Sequence, residues 1–520
     1  MVKYLDNNSG FAQWNAAQDA KKTKSRLGGF LWWFLIFVAS WLALNMWLGP
    51  RKTNVAETPV ADVIDVSAVP TSQIDFDNIS GTVQGLRIYD IKLKNYTISA
   101  SDNTPVALLN RDNNWVEVGL VASGTVAPNP ATVWRSTDSG MTYRAPDGVE
   151  FVRNISADGY VVKITDTVRN NTTHDITVAP YGRIVRDVTS RTSSGVYTGA
   201  VVYANSDLEH RDWYKLDKKS YAYTTTSGFV GFADQYWETL LSVNAPDQTM
   251  RVKKVGENYD AATAASAINI APGATSEIVT HIYAGPRDAT ALATAATTIP
   301  GADKTIDYGW FWFLAMPMLW LLNIIHSFVA NYGLAIIILT IILRLAIWPL
   351  TRKSYTSMIA MQRMQPEMQR IQKLYANDKM RMQMEMMKLY RTHKTSPMSG
   401  CLPMLLQIPI FFALYKALLI SVPMRNAAFL WISDLASRDP FFVLPILMGL
   451  TMWLTQKLQT VTPPTNNAND ITAQTQRFMR WMPVIFTIMF AWMPAGLVLY
   501  WTVSNVFGIA QMQLLKHNSK

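Results

Sequence analysis

The chain has 520 residues but only one cysteine and six histidines, and the histidines lie far apart in the sequence. Because Cys401 has no second cysteine to pair with, no disulfide forms within the chain. Cys401 lies in an apolar stretch, which favours a small buried hydrophobe over a reactive thiol. The sequence also lacks an HExxH zinc motif, a phosphate-binding loop and a nucleophile elbow. These absences argue against an enzyme and predict neither a metal nor a cofactor.

Acidic residues are missing from the long apolar segments, which argues against a proton-coupled pump. The net charge of +10 would suit a nucleic-acid-binding protein, but the polar middle of the chain has no basic stripe with interleaved aromatics. The excess Lys and Arg instead flank the apolar segments, as orientation signals do in membrane proteins. The sequence therefore predicts a membrane protein that makes no direct contact with nucleic acid.

The first apolar segment, residues 27–50, carries no charge and is long enough to span a bilayer. Four basic residues between Lys21 and Arg26 precede it and predict a cytoplasmic N-terminus. A cleavable signal peptide is the alternative. The length of the apolar run and the lack of a clear small-x-small cleavage site favour a retained span.

Residues 56–285 have a different character and follow on the far side of the membrane. Short runs rich in Val, Ile, Thr and Tyr alternate with clusters of Asn, Asp, Gly and Pro, which predicts an all-β sandwich. The clearest runs are Thr82 to Tyr89, Gly159 to Val168, Gly195 to Tyr203 and Ser276 to Tyr283. An Ala-rich helix and linker, Arg287 to Ile306, is predicted to lead back to the membrane.

Charge decides the topology of the apolar segments after Tyr308. The loop 351–400 holds ten Lys and Arg against three acidic residues, so it must be cytoplasmic. One span therefore precedes it, and 310–330 is interpreted as an aromatic helix in the outer interface. Lys416, near the outer end of the next span, is expected to reach the interface by snorkelling.

The complete prediction is six transmembrane helices with both termini in the cytoplasm, and several helices are short enough to favour a thinned bilayer. In order, the segments are a cytoplasmic N-terminus (1–26), a first span (27–50), the β domain (51–285), a linker (286–307), the interfacial helix (308–331), a second span (333–350), a cytoplasmic helical hairpin (351–400), a third span (401–421), an outer loop (423–440), a fourth span (441–457), an inner loop (458–477), a fifth and a sixth span (478–493 and 496–515) and a cytoplasmic tail (516–520).

Arg344 is the main candidate for function because it is the only charge in its predicted span. An arginine at that depth costs about 2.5–3.5 kcal/mol on insertion scales, so it must face water or a polar partner. It either locks helices together by bonding to carbonyls or presents its charge to a hydrated cavity. Uncharged polar residues on other spans could each be simple interhelical hydrogen bonds, but together with Arg344 they favour a hydrated groove: Thr340, Gln407, Tyr500, Thr502, Ser504 and Asn505.

The basic loop 351–400 carries methionines at helical spacing on both sides of a turn at Ala376–Asp378. Packing of one helix on the other would explain this pattern. Because the methionine thioether is flexible, the pattern also suits a surface that accepts varied apolar partners. The repeated positions are Tyr355, Met358, Met361, Met364, Met368, Ile371 and Tyr375, followed by Met380, Met384, Met387 and Tyr390.

Several motifs in this half of the chain resemble the YidC family of membrane-protein insertases. They are NYG at 331–333 with Arg344 and WPLT at 348–351, GCLPMLLQIPIF at 400–411, and PAGLVLYW at 494–501 with VSN at 503–505. The resemblance covers about 305–515, and DYGW at 307–310 and YAGP at 283–286 extend it weakly. One early span and a large outer β domain are similar to the Gram-negative form. The sequence departs from the family in lacking lysines in 310–330 and in the short tail after Leu515.

The resemblance implies a bacterial inner-membrane protein whose five conserved helices, besides the N-terminal anchor, surround a groove open to cytoplasm and lipid. It implies that Arg344 is the groove arginine and that Thr340, Gln407, Phe411, Tyr500 or Trp501, Ser504 and Asn505 line the groove. For the hairpin it implies contact with substrate or ribosome through Met358, Met364, Met368, Asp378, Met384 and Met387. The implied partners are nascent membrane proteins, the Sec translocon with its accessory subunits, the ribosome, a targeting receptor and membrane lipids.

Two other functions are alternatives to insertion. A transporter would need a path to both sides with inverted repeats or coupling carboxylates, and the sequence has no sign of them. An envelope-sugar enzyme in the β domain would need paired carboxylates in a cleft, whereas the Asp residues there have the character of turn residues.

Overall fold

The architecture was determined from a computed structural model, which describes residues 64–109, 114–137, 140–187, 196–376, 378–393, 402–459 and 471–518. The predicted first span, its basic flank and Cys401 lie outside these ranges. The described residues between 64 and 459 and those from 481 to 518 belong to one compact unit, and residues 471–480 belong to a second.

The described part of residues 64–286 is built from β-strands. Every named pairing between these strands is antiparallel, as expected of a chain that returns through short turns. The strands are β1 Thr71–Asp75, β2 Ile79–Gln84, β3 Arg87–Ser99, β4 Asp102–Leu108, β5 Trp115–Ser123, β6 Arg135–Thr137, β7 Gly140–Arg144, β8 Glu150–Asp158, β9 Val161–Arg169, β10 Ile176–Arg186, β11 Gly199–Ala204, β12 Asp207–Asp212, β13 Tyr221–Thr225, β14 Gly228–Ala233, β15 Trp237–Val243, β16 Gln248–Val255, β17 Asn258–Ala264, β18 Ile268–Ile270 and β19 Thr275–Pro286.

Two sheets form from these strands. The first has the order β1-β2-β3-β5-β10-β17-β16-β13, with β4 beside β3 and β18 beside β10. The second has the order β12-β11-β14-β15-β19-β9-β8-β7-β6. Side chains from both sheets share one buried core, for example Ile184 and Val252 with Phe232 and Leu241. The predicted β-sandwich is therefore confirmed.

Glycine permits close approach at two places in this domain. Gly182 of β10 lies opposite Val118 of β5, and a Cβ there would come within 2.8 Å of Leu241 in the other sheet. Gly85 has φ +61° in the turn between β2 and β3. The apolar run Thr82 to Tyr89 therefore contains a hairpin turn, whereas the runs at 159–168 and 276–283 lie largely within β9 and β19.

Helices make up most of the rest of the described chain. A short helix, α1 Trp213–Leu216, lies within the β domain, and α2 Ala289–Ala295 follows it. The remaining helices are α3 Trp312–Val329, α4 Tyr332–Ala346, α5 Trp348–Arg363, α6 Gln365–Leu374, α7 Lys379–Thr392, α8 Leu402–Ile420, α9 Val443–Gln459, α10 Ile471–Phe490 and α11 Ala495–Asn518.

Local chemistry explains the boundaries around α4. Ala330 ends α3 in the left-handed region with φ +53°, and the Asn331 side chain then accepts a hydrogen bond from the Leu334 backbone at 3.1 Å. At the other end α4 and α5 meet at a bend of 67°. Pro349 stands at the start of α5, where a missing N–H is tolerated. The bend turns the chain out of the direction of α4 directly after Arg344.

Among the described residues, α3 is long and apolar enough to cross a membrane by itself, and α4 with α5 passes the same criterion only as a bent pair. Shorter apolar helices cover Leu405–Ile420, Val443–Leu458 and Arg480–Phe490. The six-span count and the interfacial placement of 310–330 stay predictions.

The β domain contacts one end of the helices through polar groups. Arg425, in the loop after α8, donates from Nη1 to the Thr97 carbonyl at 2.6 Å and from Nη2 to the Ile98 carbonyl. Gln235 donates from Nε2 to the Leu419 carbonyl at 3.1 Å. These bonds join strand β3 and the β14–β15 turn to the end of α8.

An ion pair stands beside this contact. Lys416 Nζ lies 2.8 Å from Asp307 Oδ2, and the aliphatic part of Lys416 packs near Gly309. The Lys416 ammonium and the Gly309 N–H outweigh burial and hold the pKa of Asp307 below its usual value. The lysine expected to snorkel therefore has a specific carboxylate partner at the end of the linker.

Candidate functional site

Arg344 lies in the last turn of α4 and is half-buried. Its Nε donates a hydrogen bond to Ser504 Oγ on α11 at 2.7 Å. The hydroxyl of Tyr355, which is buried on α5, also lies close to the guanidinium, and burial raises the pKa of that phenol. Both groups are neutral hydroxyls, so they orient the guanidinium without neutralising its charge.

Gly508 on α11 lies close to Arg344 and has no side chain to keep the helices apart. A Cβ on Gly508, one turn after Ser504, would lie 3.3 Å from the Tyr355 hydroxyl and 3.9 Å from Arg344 Nη1. A side chain at 508 would therefore be tight against the Tyr355 hydroxyl and in ordinary contact with Arg344. Gly508 therefore allows α11 to approach α4 and α5 at the level of the charge.

A second polar contact joins α11 to a third helix. Tyr500 precedes Ser504 by one turn on the same side of α11 and is only 2% exposed. Tyr500 in turn accepts a hydrogen bond from Gln407 Nε2 on α8. Two hydrogen bonds, Arg344 to Ser504 and Gln407 to Tyr500, thus bring four sequence-predicted residues together across α4, α8 and α11. We call Arg344, Ser504, Tyr500 and Gln407 the arginine network.

Thr340 does not join the arginine network. Although it precedes Arg344 by one turn, it is fully buried and its hydroxyl donates to the Ile336 carbonyl of its own helix at 2.6 Å. The hydroxyl of Thr502 is satisfied in the same way by Val498 at 2.8 Å. Such back-bonding is ordinary for threonine in apolar helices.

Phe411 and Trp501 contribute an apolar wall instead. Their ring centroids lie 5.0 Å apart in an edge-to-face arrangement, and Phe490 packs 5.2 Å from Trp501. Asn505 points to another helix, because its Nδ2 donates to Thr451 Oγ1 on α9 at 3.2 Å. This bond joins α9 to α11 one residue after Ser504.

The predicted methionine hairpin has an unequal distribution of exposure. Met358 on α5, Met364 between α5 and α6, and Met368 on α6 are buried, whereas Met384 and Met387 on α7 are 59% and 54% exposed. Asp378 begins α7 by accepting a hydrogen bond from the Arg381 backbone at 3.0 Å. The buried methionines pack inside the protein. Met384 and Met387 form an exposed apolar face together with Met380.

Sequence reasoning missed the roles of Tyr355 and Thr451. The spacing of Tyr355 placed it in the methionine stripe, and only the bend after α4 returns it to Arg344. In the described ranges, no group of three His, Cys, Asp or Glu is placed to hold a metal ion.

A β-sandwich joined to apolar helices, with an arginine whose hydrogen-bond partner among the described residues is a neutral hydroxyl, suits a helical membrane protein with a large extramembrane domain. A family model for the YidC periplasmic domain matches residues 71–321, and one for the 60Kd inner membrane protein matches 324–520. The chain belongs to the YidC family of bacterial inner-membrane protein insertases.

Individual proteins agree with these matches. The membrane protein insertase YidC of Brucella suis biovar 1 is 33% identical, over 90% of this chain and 84% of its own. That of Shewanella frigidimarina is 34% identical, over 89% of this chain and 91% of its own. A crystal structure of an active YidC insertase with its first transmembrane domain resolved matches with 18% identity and a TM-score of 0.37, covering 86% of this chain and 95% of that chain.

Proposed function

We propose that this protein inserts nascent membrane proteins into the bacterial inner membrane by attracting acidic residues of their translocated segments to Arg344. The observation that carries the proposal is the hydrogen bond from Arg344 to Ser504, because it fixes the guanidinium while leaving its charge free. A charge attraction at 4 Å is worth about 4 kcal/mol at an effective dielectric of ~20, against about 1 kcal/mol in bulk water. A site within the helices therefore binds an acidic segment more strongly than the open surface does.

The driving force for release comes from the substrate. Once its polar segment has passed Arg344, its apolar helix partitions into lipid at roughly 25 cal/mol per Å² of buried apolar surface. The apolar wall of Phe411 and Trp501 lies beside the arginine network and offers a first contact for that helix. This step needs no nucleotide, and we assign the protein no covalent chemistry.

The hairpin supplies the capture step in this proposal. Exposed Met384 and Met387 give an adaptable apolar face to segments leaving the ribosome, while the buried methionines hold α5 and α6. In this proposal the chain has six membrane spans, both of its termini lie in the cytoplasm, and residues 310–330 lie in the outer interface of the membrane. For larger substrates the Sec translocon is the partner, with the ribosome and a targeting receptor acting on the cytoplasmic side.

Reconstitution in liposomes tests the electrostatic step. The purified protein receives a single-span substrate with an acidic translocated tail or the same substrate with a neutral tail, and protease protection of the tail scores insertion. Arg344→Ala is expected to lower insertion of the acidic tail about tenfold or more, with partial recovery in Arg344→Lys. Arg352→Ala removes one exposed arginine nearby and should leave insertion unchanged. Equal insertion by Arg344→Ala and wild type would contradict the role of the charge.

A further inference from the structure

Gln511 on α11 has a buried side chain that the arginine network does not use. It is 5% exposed, and neither Oε1 nor Nε2 has a hydrogen-bond partner among the residues that the structure describes. An amide offers two donor hydrogens and an acceptor oxygen, and leaving these unpaired in a buried place is unfavourable. The side chain is therefore suited to a partner that both donates and accepts.

The helix places this amide in line with Arg344. Seven residues are almost two full turns, so Gln511 lies on the same face of α11 as Ser504 and roughly 10 Å further along. Gly508, between them, faces Arg344 and Tyr355. Met512, the next residue, packs on Tyr355 and Met358 of α5. Gln511 thus lies on the face of α11 that carries Ser504 and Gly508, next to the residue that packs on α5.

We propose that Gln511 is a second binding residue for the substrate and that it hydrogen-bonds the main chain of the translocating segment. This inference rests on the proposed function. Every residue except proline carries one N–H and one C=O, so an amide accepts any sequence at this point. An extended chain rises about 3.3 Å per residue. The peptide group at Gln511 therefore lies about three residues from the acidic side chain at Arg344.

A proline scan tests this geometry in the liposome assay. Proline removes one N–H from the substrate, so a proline about three residues from the acidic residue should slow insertion by wild type about fivefold. In Gln511→Leu the overall rate should fall by a similar factor, and proline at that position should have no further effect. The scan thus measures the coupling between one protein residue and one substrate residue.

Matched variants separate binding from structure. Gln513→Leu changes an exposed amide two residues away and should leave both the rate and the proline profile unchanged. A rate in Gln511→Leu equal to wild type would overturn the role of Gln511, as would a slow variant that keeps the wild-type proline profile. Loss of insertion in Arg344→Ala with an unaffected Gln511→Leu would leave the proposed function in place. No insertion by the wild-type protein would overturn both.

Discussion

Arg344 and Ser504 are 160 residues apart in the chain, yet a hydrogen bond of 2.7 Å joins Nε of the arginine to Oγ of the serine. Tyr500, one turn before Ser504 on α11, accepts a bond from Gln407. The guanidinium is consequently the one charged member of a group of polar side chains that lie on three helices. Its orientation depends on Ser504, whereas its charge does not.

Ser504→Ala is therefore expected to weaken insertion less than the loss of Arg344 itself. A hydrogen bond to a charged group is worth about 1.5–3 kcal/mol, and the arginine can recover part of this by bonding to water. We expect a fall of about tenfold or less in the insertion rate of an acidic-tail substrate. Thr502→Val is the control, because the Thr502 hydroxyl is satisfied within its own helix. A rate as low as that of Arg344→Ala would contradict a positioning role.

The elements of the fold are largely readable from sequence, because local periodicity and turn residues define them. The NYG motif marks the cap at Asn331, and the MPAG motif at 493–496 follows the end of α10 at Phe490 and includes the start of α11 at Ala495. Alternating Val, Ile and Thr similarly predict the β-sandwich. These features depend on residues close together in the chain.

The site is less predictable because it depends on contacts between distant residues. Spacing alone places Thr340 beside Arg344, but the Ile336 carbonyl takes its hydroxyl. Spacing also places Tyr355 in the hairpin, although the bend of 67° returns it to Arg344. The pairing of Lys416 with Asp307 spans 109 residues and has no local signal.

The two exposed methionines of α7 should affect capture without affecting stability. Replacing both Met384 and Met387 by Ala removes apolar area from the open face, so we expect weaker crosslinking of the hairpin to nascent chains and slower insertion. The midpoint of thermal unfolding should stay within about 1 °C of wild type, since surface changes usually cost less than ~0.5 kcal/mol. Met364→Ala, at a buried position, should instead cost about 2–5 kcal/mol of stability. Unchanged crosslinking in the double variant would contradict the capture step.

Arg425 is expected to hold the β domain against the helices. Arg425→Ala removes both hydrogen bonds to the carbonyls of Thr97 and Ile98. Amide hydrogen exchange should become faster in the 95–105 hairpin and in the loop after α8, because local opening costs less free energy once those bonds are lost. Arg438→Ala, an exposed arginine of the same loop, is the matched control. Identical exchange in wild type and Arg425→Ala would show that these bonds do not limit opening.

Glu238 should make the stability of the protein depend on pH. Its carboxylate is fully buried, lies 3.3 Å from Arg287 Nε and accepts a bond from Thr305 Oγ1 at 2.8 Å. Burial outweighs both of these partners and raises the pKa of Glu238 from 4.5 to about 7. Between these values the folded protein binds a proton that the unfolded chain releases. The free energy of unfolding contributed by this group therefore falls as pH rises from about 4.5 to 7 and is constant above that range.

Glu238→Gln removes the titrating proton but keeps a group that can accept from Thr305. The variant should lose the part of the pH dependence that belongs to Glu238, so its unfolding temperature should fall less than that of wild type between pH 5 and pH 7.5. Differential scanning calorimetry of the full chain in detergent at these two pH values measures the difference directly. Glu209→Gln, a change at a partly exposed carboxylate of the same domain, should keep the wild-type slope. Parallel curves for wild type and Glu238→Gln would mean that Glu238 has the same proton affinity in the folded and unfolded chain, with the attraction of Arg287 cancelling the cost of burial.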